Sequence, residues 1–117
     1  MATLGMLGSY DFNAPEIDRV VTKTSPGNYA LGYVKEYNFY VRYIGRSDSD
    51  VNKELMARLP LKHLKFKYSY ATSAKAAFEK ECQNYHAFGG SVGLENRVHP
   101  NCPVLTNWEC PRCDIFS

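Results

Sequence analysis

The amino-acid sequence predicts an α+β domain in which a three-stranded antiparallel sheet is flanked by helices. Three observations carry that expectation. The stretch 26–46, PGNYALGYVKEYNFYVRYIGR, reads as two apolar strands folded against each other. A third alternation of apolar and polar residues runs through 65–71. Two segments with helical spacing, 51–59 and 73–88, are interleaved with these strands, as expected of one sheet layer covered by helices.

Taken in order, residues 1–24 mix the turn formers Gly8, Asn13 and Pro15 with an apolar piece at Ile17, Val20 and Val21. That mixture suits either a helical turn or a strand at the sheet edge. In the hairpin that follows, Lys35 and Glu36 form the polar tip, and period two sets Tyr37, Phe39, Val41 and Tyr43 on one face. Ser47-Asp48-Ser49-Asp50 offers capping oxygens to a helix over 51–59, with Val51, Leu55, Met56 and Leu59 on one side and Pro60 ending it. In the third strand, Phe66, Tyr68 and Tyr70 stand against Lys65, Lys67 and Ser69. Thr72 or Ser73 caps the last helix, which stops at Gly89-Gly90. The remainder, with Pro100, Pro103 and Pro111, is loop-rich. The expected organisation is an extension over 1–24 packed on a core domain over 25–98, and a cysteine-rich tail over 99–117 in the same globule.

A chain of 117 residues holds one core and not two. Its 44% hydrophobic and 14% aromatic content excludes a disordered chain. No apolar run approaches the ~20 residues of a membrane helix. The first eight residues lack the basic start and apolar centre of a secretory signal. The chain therefore reads as soluble and cytoplasmic, with no membrane partner. A net charge of +2 is too small to argue for nucleic acid by itself. Between 42 and 67, however, seven Lys or Arg face three acids, which suits a solvated surface or a phosphate-facing one equally.

The 73–88 helix contains a misfit. Ala74, Ala77, Phe78, Glu81, Cys82, Tyr85 and Phe88 form one stripe by helical spacing, with Glu79, Lys80, Gln83 and Asn84 on the wet side. Glu81 is the single charge on that stripe. A buried carboxylate requires a cation, a metal or several donors, so Glu81 is expected beside a metal or in an ion pair with Arg42 or Arg46.

All four cysteines follow residue 81. Cys110-Pro-Arg-Cys113 is a CxxC turn that lets two thiolates converge on one tetrahedral ion. Cys82 and His86, four apart on one helix face, supply the preferred second pair for a structural Zn2+. His99 and Cys102 are the alternative pair. A redox CxxC and a pair of disulfides are the competing uses of these thiols.

With the hairpin, the third strand and the Glu81 helix in place, the stretch from Pro26 to about Asn96 resembles the GIY-YIG nuclease superfamily. Asn28-Tyr29-Ala30 stands at its first motif with only the tyrosine kept, and Tyr43-Ile44-Gly45 is its second motif intact. The resemblance implies a small endonuclease or nickase that hydrolyses phosphodiester bonds in nucleic acid, DNA before RNA, with one Mg2+ or Mn2+. It implies Glu81 as the metal ligand, Tyr29 and Tyr43 near the attacking water, one of them a general base if surrounding positive charge lowers its pKa, and Asn96 beside the substrate. The family's arginine on the helix after the second motif is replaced here by Lys53-Glu54. Arg46 or Arg58 is the substitute, and Lys53, Arg58 and Asn96 are candidate substrate contacts. A non-catalytic nucleic-acid-binding or protein-binding module on the same core is the competing function.

Overall fold

Each helix begins on a side chain that caps it. In the computed structural model, which describes residues 5–59, 65–88 and 94, Asn13 accepts from the Glu16 amide at the start of α1 (Ala14–Val20). Asp50 accepts from the Asn52 and Lys53 amides at the start of α2 (Val51–Ala57). Ser73 accepts from the Ala76 amide at the start of α3 (Ala74–Ala87). Each supplies an acceptor to amides that have no partner within the helix.

Among the described residues the strands are β1 (Leu7–Asp11), β2 (Gly27–Lys35), β3 (Asn38–Ser47) and β4 (Lys65–Tyr70). They form one antiparallel sheet of four strands in the order β1-β4-β2-β3. The expected three-stranded sheet is thus corrected to four. The N-terminal stretch supplies both alternatives read from it, β1 on the outer edge of β4 and α1 behind it. Its strand is only five residues long, and its inward aromatic, Tyr10, leans on the rings of Phe66 and Tyr68.

The sheet divides the single core expected from the chain's length into two clusters, one on each face. Tyr29 and Leu31 of β2 and Phe66 and Tyr68 of β4 pack with Ile17, Val21, Val51 and Leu55 on the side of α1 and α2. Ala30 and Ile44 point the other way, to Tyr85 of α3 and Leu94. The Asn28 side chain donates to the Ala77 carbonyl at 2.8 Å, pinning α3 against β2 one turn before Glu81. Asn84, expected on the wet side, is buried. It lies seven residues after Ala77 and three after Glu81, so the buried stripe is wider at that end than the count of apolar residues showed.

Two features of the hairpin differ from the expected pattern. Its tip is Glu36-Tyr37, both at positive φ, which matches the twist of a two-residue hairpin loop and leaves Tyr37 in the turn. Beyond it, β3 carries an extra residue opposite β2, since Leu31 pairs with Tyr43 and Gly32 with Val41. That bulge at Arg42 breaks the period of two. Phe39 and Val41 pack on the α3 side, whereas Tyr43 packs with Tyr29 on the other. Among the described residues, no helix is long and apolar enough to cross a membrane.

Candidate functional site

Because β3 is an edge strand among the described residues, helices on the two faces of the sheet can reach round it to a common point. Glu81 comes from α3 on one face, and Arg58, at the C-terminal end of α2, from the other. They meet in an open cleft of about 370 Å3 whose wall also includes Tyr29, Tyr43, Gly45, Arg46, Asp48 and Glu54. Four residues read from the sequence as catalytic, Tyr29, Tyr43, Arg46 and Glu81, are therefore brought together, and Arg58 joins them.

Tyr29 belongs to β2, one strand in from the edge, and reaches the cleft by crossing its partner on β3, Gly45. A Cβ built on Gly45 would fall within the Tyr29 ring and hydroxyl. Glycine is therefore required there for passage of the ring. Gly45→Ala is expected to destabilise the fold by about 1–3 kcal/mol through overpacking. It should also part Tyr29 from Arg58. Thermal denaturation checks the first effect, and an unchanged melting temperature would show that Tyr29 has room to move.

Arg46 and Glu81 are the tightest polar contact in the cleft, Nη1 donating to Oε1 at 2.6 Å with both side chains almost fully covered. Arg46 Nε donates to Asp48 at 2.9 Å, and the guanidinium lies 5.1 Å from the Phe78 ring centre. The expected cation beside Glu81 is thus Arg46, not Arg42. Burial pushes the Glu81 carboxyl above the ordinary carboxylate value; the charge and hydrogen bond of Arg46 oppose that rise, and Asp48 and Glu54 add to it. Burial works against the Arg46 cation, yet Asp48 and Glu81 together hold its pKa above the usual value.

Arg58 organises the opposite wall. Its Nε donates to the Tyr29 hydroxyl at 2.9 Å, its Nη2 to Glu54 at 3.2 Å, and its guanidinium sits 5.3 Å from the Tyr43 ring centre. The Tyr29 and Tyr43 rings stack at 6.3 Å. Burial raises the Tyr29 pKa well above that of a free tyrosine despite the nearby Arg58 charge. Tyr29 is therefore a neutral phenol, and the positive charge that would make it a base does not prevail.

Lys53, by contrast, is exposed in the first turn of α2 and does not line the cleft. Asn96, His99, Cys102, Cys110 and Cys113 lie outside the described residues. Cys82 is buried and His86 half-buried, one turn apart on α3. Two cleft carboxylates have roles that the sequence reading did not assign: Asp48, seen there only as part of a capping cluster, orients Arg46, and Glu54, noted there only as standing with Lys53 where the family has an arginine, steadies Arg58. The Arg-x-Asp spacing at the end of β3 and the i, i+4 spacing of Glu54 and Arg58 are the signals that would have found them.

Among the described residues, the cleft therefore sets two guanidiniums against three carboxylates. Glu81, Glu54 and Asp48 line the cleft together, and Mg2+ or Mn2+ is ordinarily held by one or two carboxylates with water and phosphate oxygens in the remaining positions. Among the described residues no group of three His, Cys, Asp or Glu is arranged to hold a metal by protein ligands alone. Comparison of the chain with protein families, with curated proteins and with solved structures finds no match.

Proposed function

We propose that the protein is a GIY-YIG-like, divalent-metal-dependent nuclease that hydrolyses phosphodiester bonds in nucleic acid, DNA before RNA. The charge balance of the cleft is the observation that carries this reading. Among the described residues, two arginines and three carboxylates leave one net negative charge in the cleft, which a divalent cation and one diester anion together would cancel. Either ligand alone would leave the cleft charged.

Glu81 would hold the metal, with Glu54 or Asp48 beside it. A bound Mg2+ or Mn2+ supplies a Lewis acid that polarises the phosphoryl oxygen and steadies the leaving group. Arg58 is the cation that faces the diester, because its side chain is 40% exposed against 12% for Arg46. Its planar fork suits two phosphoryl oxygens and stabilises the charge that develops on them. Tyr29 accepts from Arg58 and so keeps its own proton to donate into the cleft. Tyr43, under the same guanidinium, is the tyrosine left to orient the attacking water. Arg46 holds Glu81 in place and takes the role of a positioning residue.

A structural Zn2+ on Cys82, His86, Cys110 and Cys113, with His99 and Cys102 as the other pair, belongs to the same proposal. About one zinc per chain is expected, and metal analysis of the purified protein that finds none would remove it.

One observation favours the second reading, a non-catalytic binding module: the Arg46 ion pair engages the carboxylate that a metal would need. Supercoiled plasmid and a structured RNA, each incubated with Mg2+ and with Mn2+, separate the two. Nicked or cleaved product supports the nuclease. No product from either substrate with either metal would discard it in favour of the binding module.

A further inference from the structure

We propose that the exposed Tyr33–Tyr40 pair is a stacking platform for an unpaired nucleobase on the strand whose phosphate lies in the cleft. The proposal rests on the nucleic-acid reading above and adds to the cleft a grip on single-stranded or flapped stretches of its substrate.

The platform stands where the sheet ends. Among the described residues β4 pairs with β2 from Gly27 to Gly32, and residues 33–40 continue beyond that pairing as a ribbon of β2 and β3. Among the described residues the exposed large hydrophobic side chains are Leu7, Tyr33, Val34, Tyr37 and Tyr40, so all but the first lie on this ribbon. Tyr33 and Tyr40 face each other across the strands with ring centres 5.3 Å apart and planes 20° apart. Covering a core does not account for them, since each is about 40% exposed.

The pair repeats the geometry found in the cleft. Tyr29 and Tyr43 stack with planes 19° apart, and Tyr29, Leu31 and Tyr33 alternate along one face of β2. The two stacked pairs therefore share a face. Tyr43 and Tyr40 are three residues apart on β3, about 10 Å at the rise of an antiparallel strand. A strand with its phosphate at Arg58 thus has a neighbouring base within reach of the outer pair.

Charge selects the occupant. Arg42 sits in the bulge between the two pairs and Lys35 at the ribbon's end, against the single acid Glu36 in the turn. Neither β2 nor β3 carries a carboxylate between one tyrosine pair and the other. Aromatic faces beside cationic groups are what a single strand uses, its bases stacking without regard to sequence and its phosphates meeting the cations. A duplex keeps its base faces inside and offers the ribbon nothing to stack on.

Fluorescence anisotropy on the full chain tests this, with a short fluorescein-labelled oligothymidine and a duplex of the same length. The double variant Tyr33→Ala, Tyr40→Ala is expected to bind the single strand about tenfold more weakly or worse, as loss of base stacking predicts. It should leave duplex affinity unchanged, and the double Phe variant should bind as wild type does. Equal single-strand binding by the Ala variant and wild type would overturn the platform while leaving cleavage in the cleft intact. Loss of self-association by the Ala variant in sedimentation, with single-strand binding unchanged, would make the pair a contact between copies and overturn the platform too. A wild-type protein that neither binds nor cleaves nucleic acid would overturn the reading of the cleft as well.

Discussion

Arg46→Met is expected to lower stability by about 3–5 kcal/mol at pH 7 and by less at pH 5, the cost of leaving a buried carboxylate without its cation. Methionine keeps much of the side-chain length and its contact with Phe78, so the loss reports charge more than packing. The pH dependence follows from Glu81. Its carboxyl starts from an unfolded value near 4.5 and is raised in the folded protein by burial, with Arg46 opposing the rise. Between the two values the folded chain holds a proton that the unfolded chain has released. Stability from this group is therefore greatest below the unfolded value and falls as pH rises through the folded one. Removing Arg46 takes away both effects that limit the rise, so the fall becomes steeper and extends to higher pH. Urea denaturation of wild type and variant at the two pH values measures the difference. A loss of equal size at both would mean that Arg46 stabilises through its contacts with Asp48 and Phe78, and not through Glu81.

The parts of the site visible in the sequence were those marked by a local misfit or a fixed spacing. Glu81 stood out because one charge interrupted an apolar stripe, and the ion pair with Arg46 answers that interruption. The hairpin stood out because Tyr43-Ile44-Gly45 follows a strand pattern and ends in a glycine whose reason is steric, the crossing of Tyr29. What stayed hidden depended on contacts distant in the chain. The β1 strand pairs with residues nearly sixty positions away, and five residues carry too little periodicity to announce it. The bulge at Arg42 leaves no mark in composition, yet it turns Tyr43 to the opposite face from Phe39 and Val41. The choice between Arg46 and Arg58 likewise required the sheet order, because only an edge position for β3 lets α2 and α3 meet there. Arg46 is engaged by two carboxylates, whereas Arg58 holds a phenol and one half-exposed acid.

That division of labour makes Glu81→Gln the most informative change for activity. On the proposed nuclease reading, nicking of supercoiled plasmid in Mg2+ or Mn2+ is expected to fall by about 10²–10³-fold or more, the scale on which loss of one group stabilising transition-state charge is felt. The fold, in contrast, should stay within about 1 kcal/mol of wild type at pH 7. Glutamine keeps the volume, and its side-chain oxygen can still accept from Arg46 Nη1. Since burial disfavours the charged carboxylate at this position, a neutral side chain relieves a desolvation cost even as it weakens the pair. The same substitution removes the negative charge that a divalent cation would require. Stability and cleavage are thus expected to separate in this variant, whereas Arg46→Met should lower both. Equal nicking by Glu81→Gln and wild type would assign the cleavage to a different carboxylate, with Glu54 the next to replace, or to a contaminating nuclease. A variant that unfolds at neutral pH would instead show that the ion pair outweighs the desolvation of its carboxylate, and the role given to Arg46 would then be structural.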